Sequence, residues 1–327
     1  MDSDLLGGFE DFVQDPLVEP FNFIRGSTYN GVRGVWKIES GKPGPVLGIT
    51  IHTHGNEPSG LAVLAHFRNI FPLQQHLKKG TVIFVLNNIR ATEKFLAASS
   101  DNEKRASRFI DLNMNRLPSD TIVHGMNDPR YEVRRAYELR NIWSQFDFAL
   151  DIHSTATETI GMIMNIGSIH RNLIRGFPIT DIITNIENVQ IGKPAVSFYG
   201  KGSIPVMGIE AGCHESAESF KRAVTCTDSL LKNLKMIEGE TVSGRREYNE
   251  YYVDGALMFP DASYSLVKVF KTYDRFTEGE KIASGAQGDI FAPFTGHSIF
   301  AGPNTTVKSL EEEVMFYLRP PRVITIN

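Results

Sequence analysis

The chain has 327 residues and a formal net charge of −4 at pH 7, and 41% of its residues are hydrophobic. This composition is ordinary for a globular protein, and the lack of a basic surplus argues against nucleic acid as a partner. No apolar run approaches the roughly 20 residues that cross a bilayer. The first twenty residues lack Lys and Arg, unlike a secretory signal, and the chain has only two cysteines. We therefore expect a soluble, cytoplasmic protein that does not associate with membranes.

Apolar and amphipathic segments alternate along the first 240 residues. Short apolar runs predict strands, and apolar positions at helical spacing predict helices. The predicted strands span residues 32–39, 45–51, 81–86, 148–152, 161–166 and 206–212, and the predicted helices span residues 58–71, 91–97, 128–146 and 215–237. Strands alternating with helices in this way predict an α/β fold, with a mostly parallel or mixed sheet that is covered by helices on both faces.

The pattern changes after about residue 240. Short alternating runs are separated by Gly and Pro turns there, and no long helical pattern appears. We therefore expect two domains, a catalytic domain over residues 1–240 and a smaller all-β domain over residues 241–327.

A turn with His54 and Glu57 follows the strand predicted at 45–51. Pro58 stands where the next helix begins, so both side chains lie just beyond the carboxyl end of a core strand. A zinc site takes two ligands close in sequence and a third from far away. Taken alone, however, such a pair is more often a hydrogen-bonded surface pair than a metal site.

His153 ends the strand predicted at 148–152 and is the candidate for the distant third ligand. Asp151, two residues earlier, points to the same side of the strand and is placed to orient a histidine ligand. A core histidine and a structural buried acid are the alternatives for these two residues.

Glu210 interrupts an otherwise apolar strand. A buried carboxylate is costly unless it is paired or used. Beside a metal-activated water it would serve first as a general base and then as a general acid to the leaving amine, and the alternative is a structural salt bridge. Arg108 and Arg116 lie in a cluster with Arg105, and guanidinium groups grip carboxylates and stabilise oxyanions.

Four motifs in this order resemble those of the succinylglutamate desuccinylase/aspartoacylase family, relatives of the zinc carboxypeptidases. They are His54-Gly-Asn-Glu57, Arg108-Phe-Ile-Asp-Leu-Asn-Met-Asn115-Arg116, Asp151-Ile-His153 and Gly208-Ile-Glu210. The resemblance implies a zinc carboxypeptidase-like fold, one zinc ion per chain and a C-terminal β domain. That domain has turns like those of a biotinyl/lipoyl-type barrel, but no lysine occupies the turn at 293–296.

The resemblance also assigns roles to single residues. It implies that His54, Glu57 and His153 bind zinc and that Glu210 is the base. It further implies that Arg108 stabilises the oxyanion, while the following pair, Asn115 and Arg116, binds a substrate carboxylate.

Two positions depart from the family pattern. Asn113 replaces an acid that often supports a zinc histidine in relatives. The arginine with which aspartoacylases grip the substrate's side-chain carboxylate is missing, and Lys201 is the candidate to replace it as a looser point charge. A substrate other than N-acetylaspartate is therefore expected.

Together these features predict a zinc-dependent deacylase of small N-acyl amino acids. The nearest alternative is a metallocarboxypeptidase that cuts peptides. Two further alternatives are a TIM-barrel hydrolase that uses His52 and His54 as a metal-binding pair, and a non-catalytic binding module with a decayed site. Two histidines and a carboxylate also suit Fe, Co or Mn. The sequence does not determine the acyl group, the amino acid or the oligomeric state, for which a homo-oligomer is one alternative.

Overall fold

The computed structural model describes residues 17–156, 159–166, 171–200, 204–241, 246–301 and 312–326. Proximity of Cα atoms divides the chain into two compact units. Unit 1 comprises the described residues up to Thr180, those from Gly192 to Arg246, and Thr325 with Ile326. Unit 2 comprises Asp181–Ile191 and the described residues from Glu247 to Ile324.

The helices and strands are numbered in chain order. The helices are α1 (Val18–Gly26), α2 (Ser59–Ala65), α3 (Leu73–His76), α4 (Ile89–Leu96), α5 (Asp101–Ala106), α6 (Thr121–His124), α7 (Tyr131–Trp143), α8 (Ile186–Val189) and α9 (Ala217–Asn233). The first nine strands are β1 (Thr28–Tyr29), β2 (Val32–Arg33), β3 (Val35–Glu39), β4 (Val46–Ile51), β5 (Thr81–Leu86), β6 (Phe148–Thr155), β7 (Met162–Ile166), β8 (Asp181–Thr184) and β9 (Val206–Cys213). The remaining strands are β10 (Arg246–Leu257), β11 (Ser265–Leu266), β12 (Arg275–Phe276), β13 (Lys281–Gly285), β14 (Gly288–Phe291), β15 (Gly296–Ile299), β16 (Met315–Leu318) and β17 (Arg322–Ile326).

The sheet of unit 1 has the strand order β7-β9-β6-β4-β5-β3. The four central strands are parallel, and the edge strands β7 and β3 run antiparallel to their neighbours. The predicted mixed sheet is therefore confirmed. Since β4, β6 and β9 are adjacent and parallel, their carboxyl ends meet at one edge, which is where open α/β sheets bind ligands.

Helices cover both faces of this sheet, as predicted. On one face, Ile83 and Val85 of β5 share a core cluster with buried residues of α7. On the other face, Gly60 of α2 lies so close to Ile51 of β4 that an added Cβ would be 2.5 Å from the Ile51 Cβ. The continuous apolar runs of β4 and β5 follow from burial on both faces.

Several predicted elements differ in their bounds. The strand predicted at 32–39 is interrupted at Gly34, whose φ of +78° an L side chain rarely adopts. The helix predicted at 58–71 ends at Ala65, and the chain continues as a π-helical turn over His66–Ile70. The helix predicted at 128–146 begins at Tyr131. Asp128 accepts hydrogen bonds from the backbone N–H and the guanidinium group of Arg130, and these bonds hold a turn before the helix.

Unit 2 is rich in β-structure, which confirms the predicted β-rich C-terminal region. One of its sheets has the order β12-β15-β16-β10-β8, with β17 also paired to β10, and β11, β13 and β14 form a second sheet. Its core contains the buried aromatic side chains of Phe259, Phe276 and Tyr317. The strand β8, near residue 181, is an element that the sequence pattern did not predict.

None of the helices in the described ranges is long and apolar enough to cross a membrane.

Candidate active site

The structure brings the three predicted metal ligands together at the carboxyl edge of the sheet in unit 1. His54 and Glu57 lie in the turn between β4 and α2, and His153 lies near the end of the adjacent strand β6. All three are buried, and one ligand atom from each lies within 4.8 Å of the others. Within the described parts of the chain, this is the group of His, Cys, Asp and Glu side chains with the geometry to hold a metal ion.

Hydrogen bonds orient both imidazole rings. The Nε2 of His54 lies 2.8 Å from Oδ1 of Asn113, and the backbone N–H of Asn115 donates to the same Oδ1 at 2.8 Å. An atom that accepts from a backbone N–H is the amide oxygen, so Nε2 of His54 is a donor. The Nε2 of His153 likewise donates to Oδ2 of Asp151 at 2.9 Å. Each ring therefore directs its Nδ1 towards Glu57.

The carboxylate of Glu57 lies between the two rings. Its Oε1 is 2.7 Å from Nδ1 of His54, and its Oε2 is 2.6 Å from Nδ1 of His153. Burial raises the pKa of a carboxyl group, but attraction to both imidazoles outweighs it and brings the pKa of Glu57 well below its usual value. The group is thus held as a carboxylate, the form that binds a cation.

The two histidines have different electrostatic surroundings. Burial lowers the pKa of an imidazole, but the carboxylates of Asp151 and Glu57 reverse this effect and raise the pKa of His153 well above its usual value. The pKa of His54 is lowered by burial and by the charge of Arg108. The pKa values differ because the carboxylate of Asp151 supports the ring of His153, whereas an amide supports the ring of His54 and the charge of Arg108 acts on that ring.

Asp151 is itself firmly held. It is buried, and its Oδ1 accepts hydrogen bonds from the hydroxyls of Thr50 at 2.7 Å and Thr53 at 3.0 Å. Thr53 in turn accepts a bond from Asn87 at 2.9 Å. Asp151 therefore occupies the orienting position expected from the sequence, and β4 supplies part of its support.

Glu210 lies on β9, directly opposite His153 of β6 in the parallel register. Its Oε2 is buried, and no hydrogen-bond partner for this atom occurs among the described residues. Burial, acting against the attraction of His153, raises the pKa of Glu210 to about 8. A carboxyl group with such a pKa beside a potential cation site has the properties of an acid–base catalyst.

Arg108 contacts the candidate metal-ligand group of His54, Glu57 and His153 directly. Its Nη1 donates to Oε1 of Glu57 at 2.8 Å, and its backbone carbonyl accepts the N–H of Gly55 at 2.9 Å. The Arg108 side chain is 39% exposed, so it borders the cluster from the solvent side. Its ion pair with the carboxylate of Glu57 was not predicted from the sequence.

Asn115 and Arg116 form a 3₁₀ turn with Met114. Asn113 connects this turn to the cluster, because its Oδ1 contacts both His54 and the N–H of Asn115. The Nη1 of Arg116 donates to the carbonyl of Asn115 at 2.8 Å.

Two further candidates came from the sequence, Lys201 and His52. Lys201 lies outside the described residues. His52 is buried at a φ of +51°, and its Nδ1 lies 3.2 Å from the carbonyl oxygen of Gly55. His52 thus supports the ligand-bearing turn rather than joining the metal-ligand group.

Sequence reasoning missed two residues near these elements. His214 follows β9, and its Nδ1 lies 2.8 Å from the hydroxyl of Ser154, next to His153. Its position four residues after Glu210 was the available signal. Glu132 is fully buried at the start of α7 and bonds the loop that follows Arg108. Its spacing within an ordinary amphipathic helix gave no signal.

Residues 43–175 match the model of the Succinylglutamate desuccinylase/Aspartoacylase catalytic domain. This match confirms the predicted resemblance to that family over the segment that carries His54, Glu57, Arg108 and His153. No curated protein sequence matches the chain significantly.

Solved structures share the fold. The succinylglutamate desuccinylase from Vibrio cholerae superposes with a TM-score of 0.68 at 14% identity, over 90% of this chain and 89% of that chain. Murine aminoacylase 3 gives 0.62 at 19% identity, over 87% of this chain and 97% of that chain. A succinylglutamate desuccinylase/aspartoacylase from Rhodobacter sphaeroides gives 0.61 at 16% identity, with 88% of each chain covered. At these identities the likeness establishes the fold.

Proposed function

We propose that the protein is a zinc-dependent hydrolase that cleaves the amide bond of a small N-acyl amino acid or a related N-acyl compound. The single observation that carries the proposal is the buried group of His54, Glu57 and His153 beside Glu210 on the adjacent strand. The Oε2 of Glu210 has no hydrogen-bond partner within the described ranges. The catalytic-domain match over residues 43–175 supports the deacylase reaction class.

The residues present suit zinc. Two imidazoles and one carboxylate are the ligands of several zinc hydrolases, in which the remaining position stays open. Here His54 and His153 would bind through Nδ1, since Asn113 and Asp151 engage both Nε2 atoms. When bound, the ion polarises the amide carbonyl and increases the acidity of a water molecule.

Glu210 would move the proton in this reaction. As a carboxylate it takes a proton from the attacking water while the water oxygen bonds to the amide carbon. It then delivers the proton to the departing nitrogen as the C–N bond breaks. Burial raises the pKa of Glu210 to about 8, and the charge of a bound cation would act against this rise. The group would then gain and lose a proton near neutral pH, which suits this double role.

Arg108 and the Asn115–Arg116 turn would position the substrate. Arg108 reaches the candidate metal-ligand group through an Nη1–H bond to Glu57. Its remaining guanidinium N–H groups would be available to the carbonyl oxygen that becomes negative. Asn115 and Arg116 would bind the substrate carboxylate, and Lys201 stays a prediction for a second carboxylate.

An activity panel tests the reaction class. Purified enzyme loaded with zinc would be assayed against N-acetyl and N-succinyl amino acids and against short peptides. We expect hydrolysis of one or more N-acyl amino acids. Turnover of peptides alone would replace the proposal by the metallocarboxypeptidase alternative, and a protein without stoichiometric metal or activity would favour a binding module.

Glu210→Gln tests the mechanism. The amide cannot accept the proton, so we expect turnover to fall to background while zinc content stays at one ion per chain. A Gln variant with a near-normal rate would remove Glu210 from this role.

Three predictions accompany this function. They are a catalytic domain over residues 1–240 with a C-terminal β domain over 241–327, a cytoplasmic location and the absence of nucleic-acid partners. Separate expression of the two segments, followed by assays of folding and metal binding, tests the first.

A further inference from the structure

We propose that Glu132 is a positioning residue that fixes the loop carrying Arg108, Asn115 and Arg116 in its working geometry. The inference rests on the proposed function, because it concerns the residues to which that function assigns substrate contacts. Glu132 itself touches none of the metal-ligand group in the described structure.

Four hydrogen bonds define this role. The Oε1 of Glu132 accepts the side-chain N–H of Asn88 at 3.0 Å and the backbone N–H of Ile110 at 2.7 Å. Its Oε2 accepts the backbone N–H groups of Asp111 and Leu112, each at 3.0 Å. A carboxylate has two oxygens with about four acceptor sites in total, so these donors fill them.

The three backbone donors are consecutive, and they lie between the residues with proposed substrate contacts. Ile110 is two residues after Arg108, and Leu112 is three residues before Asn115. Three adjacent N–H groups that converge on one carboxylate fix the backbone of this segment. Because the backbone continues from this segment to both flanking residues, the position of the segment determines where Arg108 and Asn115 lie.

Glu132 also connects this loop to the turn that carries His54 and Glu57. Its donor Asn88 gives its own backbone N–H to the carbonyl of His52 at 3.0 Å. A direct bond joins the two loops as well, from the N–H of Gly55 to the carbonyl of Arg108 at 2.9 Å. Glu132 and Asn88 thus form a second connection between the turn that carries His54 and Glu57 and the loop that carries Arg108.

The burial of Glu132 needs a reason. Its side chain is completely buried, and no Lys, Arg or His forms an ion pair with it among the described residues. An unpaired buried carboxylate is costly unless hydrogen bonds compensate it. Its place in the first turn of α7 offsets part of this cost, since the helix N-terminus favours negative charge. The loop N–H groups provide the remaining compensation.

Glu132→Gln would disturb this arrangement with almost no change of shape. One carboxylate oxygen becomes an NH₂ group, which faces N–H donors and cannot accept from them. The loop must then shift or lose bonds. A misplacement of about 1 Å can cost about 100-fold in rate, so we expect kcat/KM to fall about 100-fold, with zinc content unchanged.

The experiment combines kinetics with hydrogen exchange on the zinc-loaded full chain. Wild type, Glu132→Gln and Glu132→Asp would be compared for kcat, KM, zinc content and amide exchange at residues 110–112. We expect faster exchange at these amides in the Gln variant and partial recovery of their protection in the Asp variant. We also expect KM to rise by more than a general loss of stability would produce. Asp147→Asn is the matched control, because Asp147 accepts the backbone N–H of Val46 at the amino end of β4.

The outcomes separate this inference from the proposed function. If wild type hydrolyses no N-acyl substrate, the proposed function fails, whereas exchange at 110–112 still reports whether Glu132 fixes the loop. If wild type is active and the Gln variant keeps its kcat, KM and amide protection, the positioning role is overturned. If the Gln variant does not fold, the Asp variant, which keeps the charge, decides by the same measurements.

Discussion

The unequal support of the two histidines makes a quantitative prediction for Asp151→Asn. Asp151 is buried and accepts three hydrogen bonds, from His153 at 2.9 Å, Thr50 at 2.7 Å and Thr53 at 3.0 Å. An asparagine can keep its oxygen towards His153 and turn its NH₂ group to the threonine hydroxyls, which also accept. The substitution therefore removes mainly the negative charge.

The expected effect is a loss of zinc affinity. A carboxylate behind a ligating histidine raises the basicity of the ring and fixes its orientation, and loss of such a partner costs about 10- to 100-fold in metal affinity. This corresponds to about 1.4 to 2.8 kcal/mol of binding free energy. Competition with a chromophoric chelator measures it directly. Asp181→Asn is the control, since Asp181 is equally buried in unit 2 and bonds Asn249 instead.

The reverse change should act in the opposite direction. Asn113→Asp places a carboxylate behind His54 and keeps an acceptor for the N–H of Asn115, so we expect zinc to bind about 10-fold more tightly. An Asp151→Asn variant that binds zinc as tightly as wild type, while the Asp181 control also does, would refute the reasoning that these outer contacts tune the ligands.

Three further predictions concern activity, packing and pH. Arg108→Lys loses the guanidinium fork, so kcat should fall about 100-fold or more in steady-state kinetics; loss of zinc instead would show that Arg108 acts by holding Glu57. In Gly48→Ala the new Cβ would lie 2.2 Å from the Phe146 ring, so urea denaturation should show a loss of about 1 to 3 kcal/mol, and an unchanged midpoint would contradict this packing. Burial lowers the pKa of His66 to about 4, so its contribution to folding is complete above about pH 6.5 and is lost as the pH falls through 4. The unfolding free energy of wild type should then drop by about 2 to 3 kcal/mol more than that of His66→Leu over this range, and parallel pH profiles would contradict it.

The sequence predicted the parts of the site that lie on regular strands or directly after them. The apolar runs of β4 and β6 predict buried parallel strands, and residues just after such strands share one edge of the sheet. His54, Glu57 and His153 could therefore be proposed as one group before any coordinates were known. The same reasoning placed Asp151 behind His153, because side chains two residues apart point to the same side of a strand.

Contacts made by loops could not be predicted in this way. The bond from Asn113 to His54 depends on the backbone path after Arg108, and the four bonds of Glu132 depend on how α7 packs against that loop. Neither follows from periodicity. The π-helical turn at His66–Ile70 was missed for a similar reason, since the apolar spacing of that segment also fits an ordinary α-helix.

The order of the strands has a consequence for folding. The side chains with proposed catalytic or metal-binding roles come from three adjacent strands or their ends, β4, β6 and β9, which are far apart along the chain. A shift of one residue in the pairing of any of them would turn its side chains to the opposite face. Under the proposed function, zinc would add stability only to molecules in which all three strands have aligned correctly. Zinc present during refolding should then increase the fraction of molecules with that alignment.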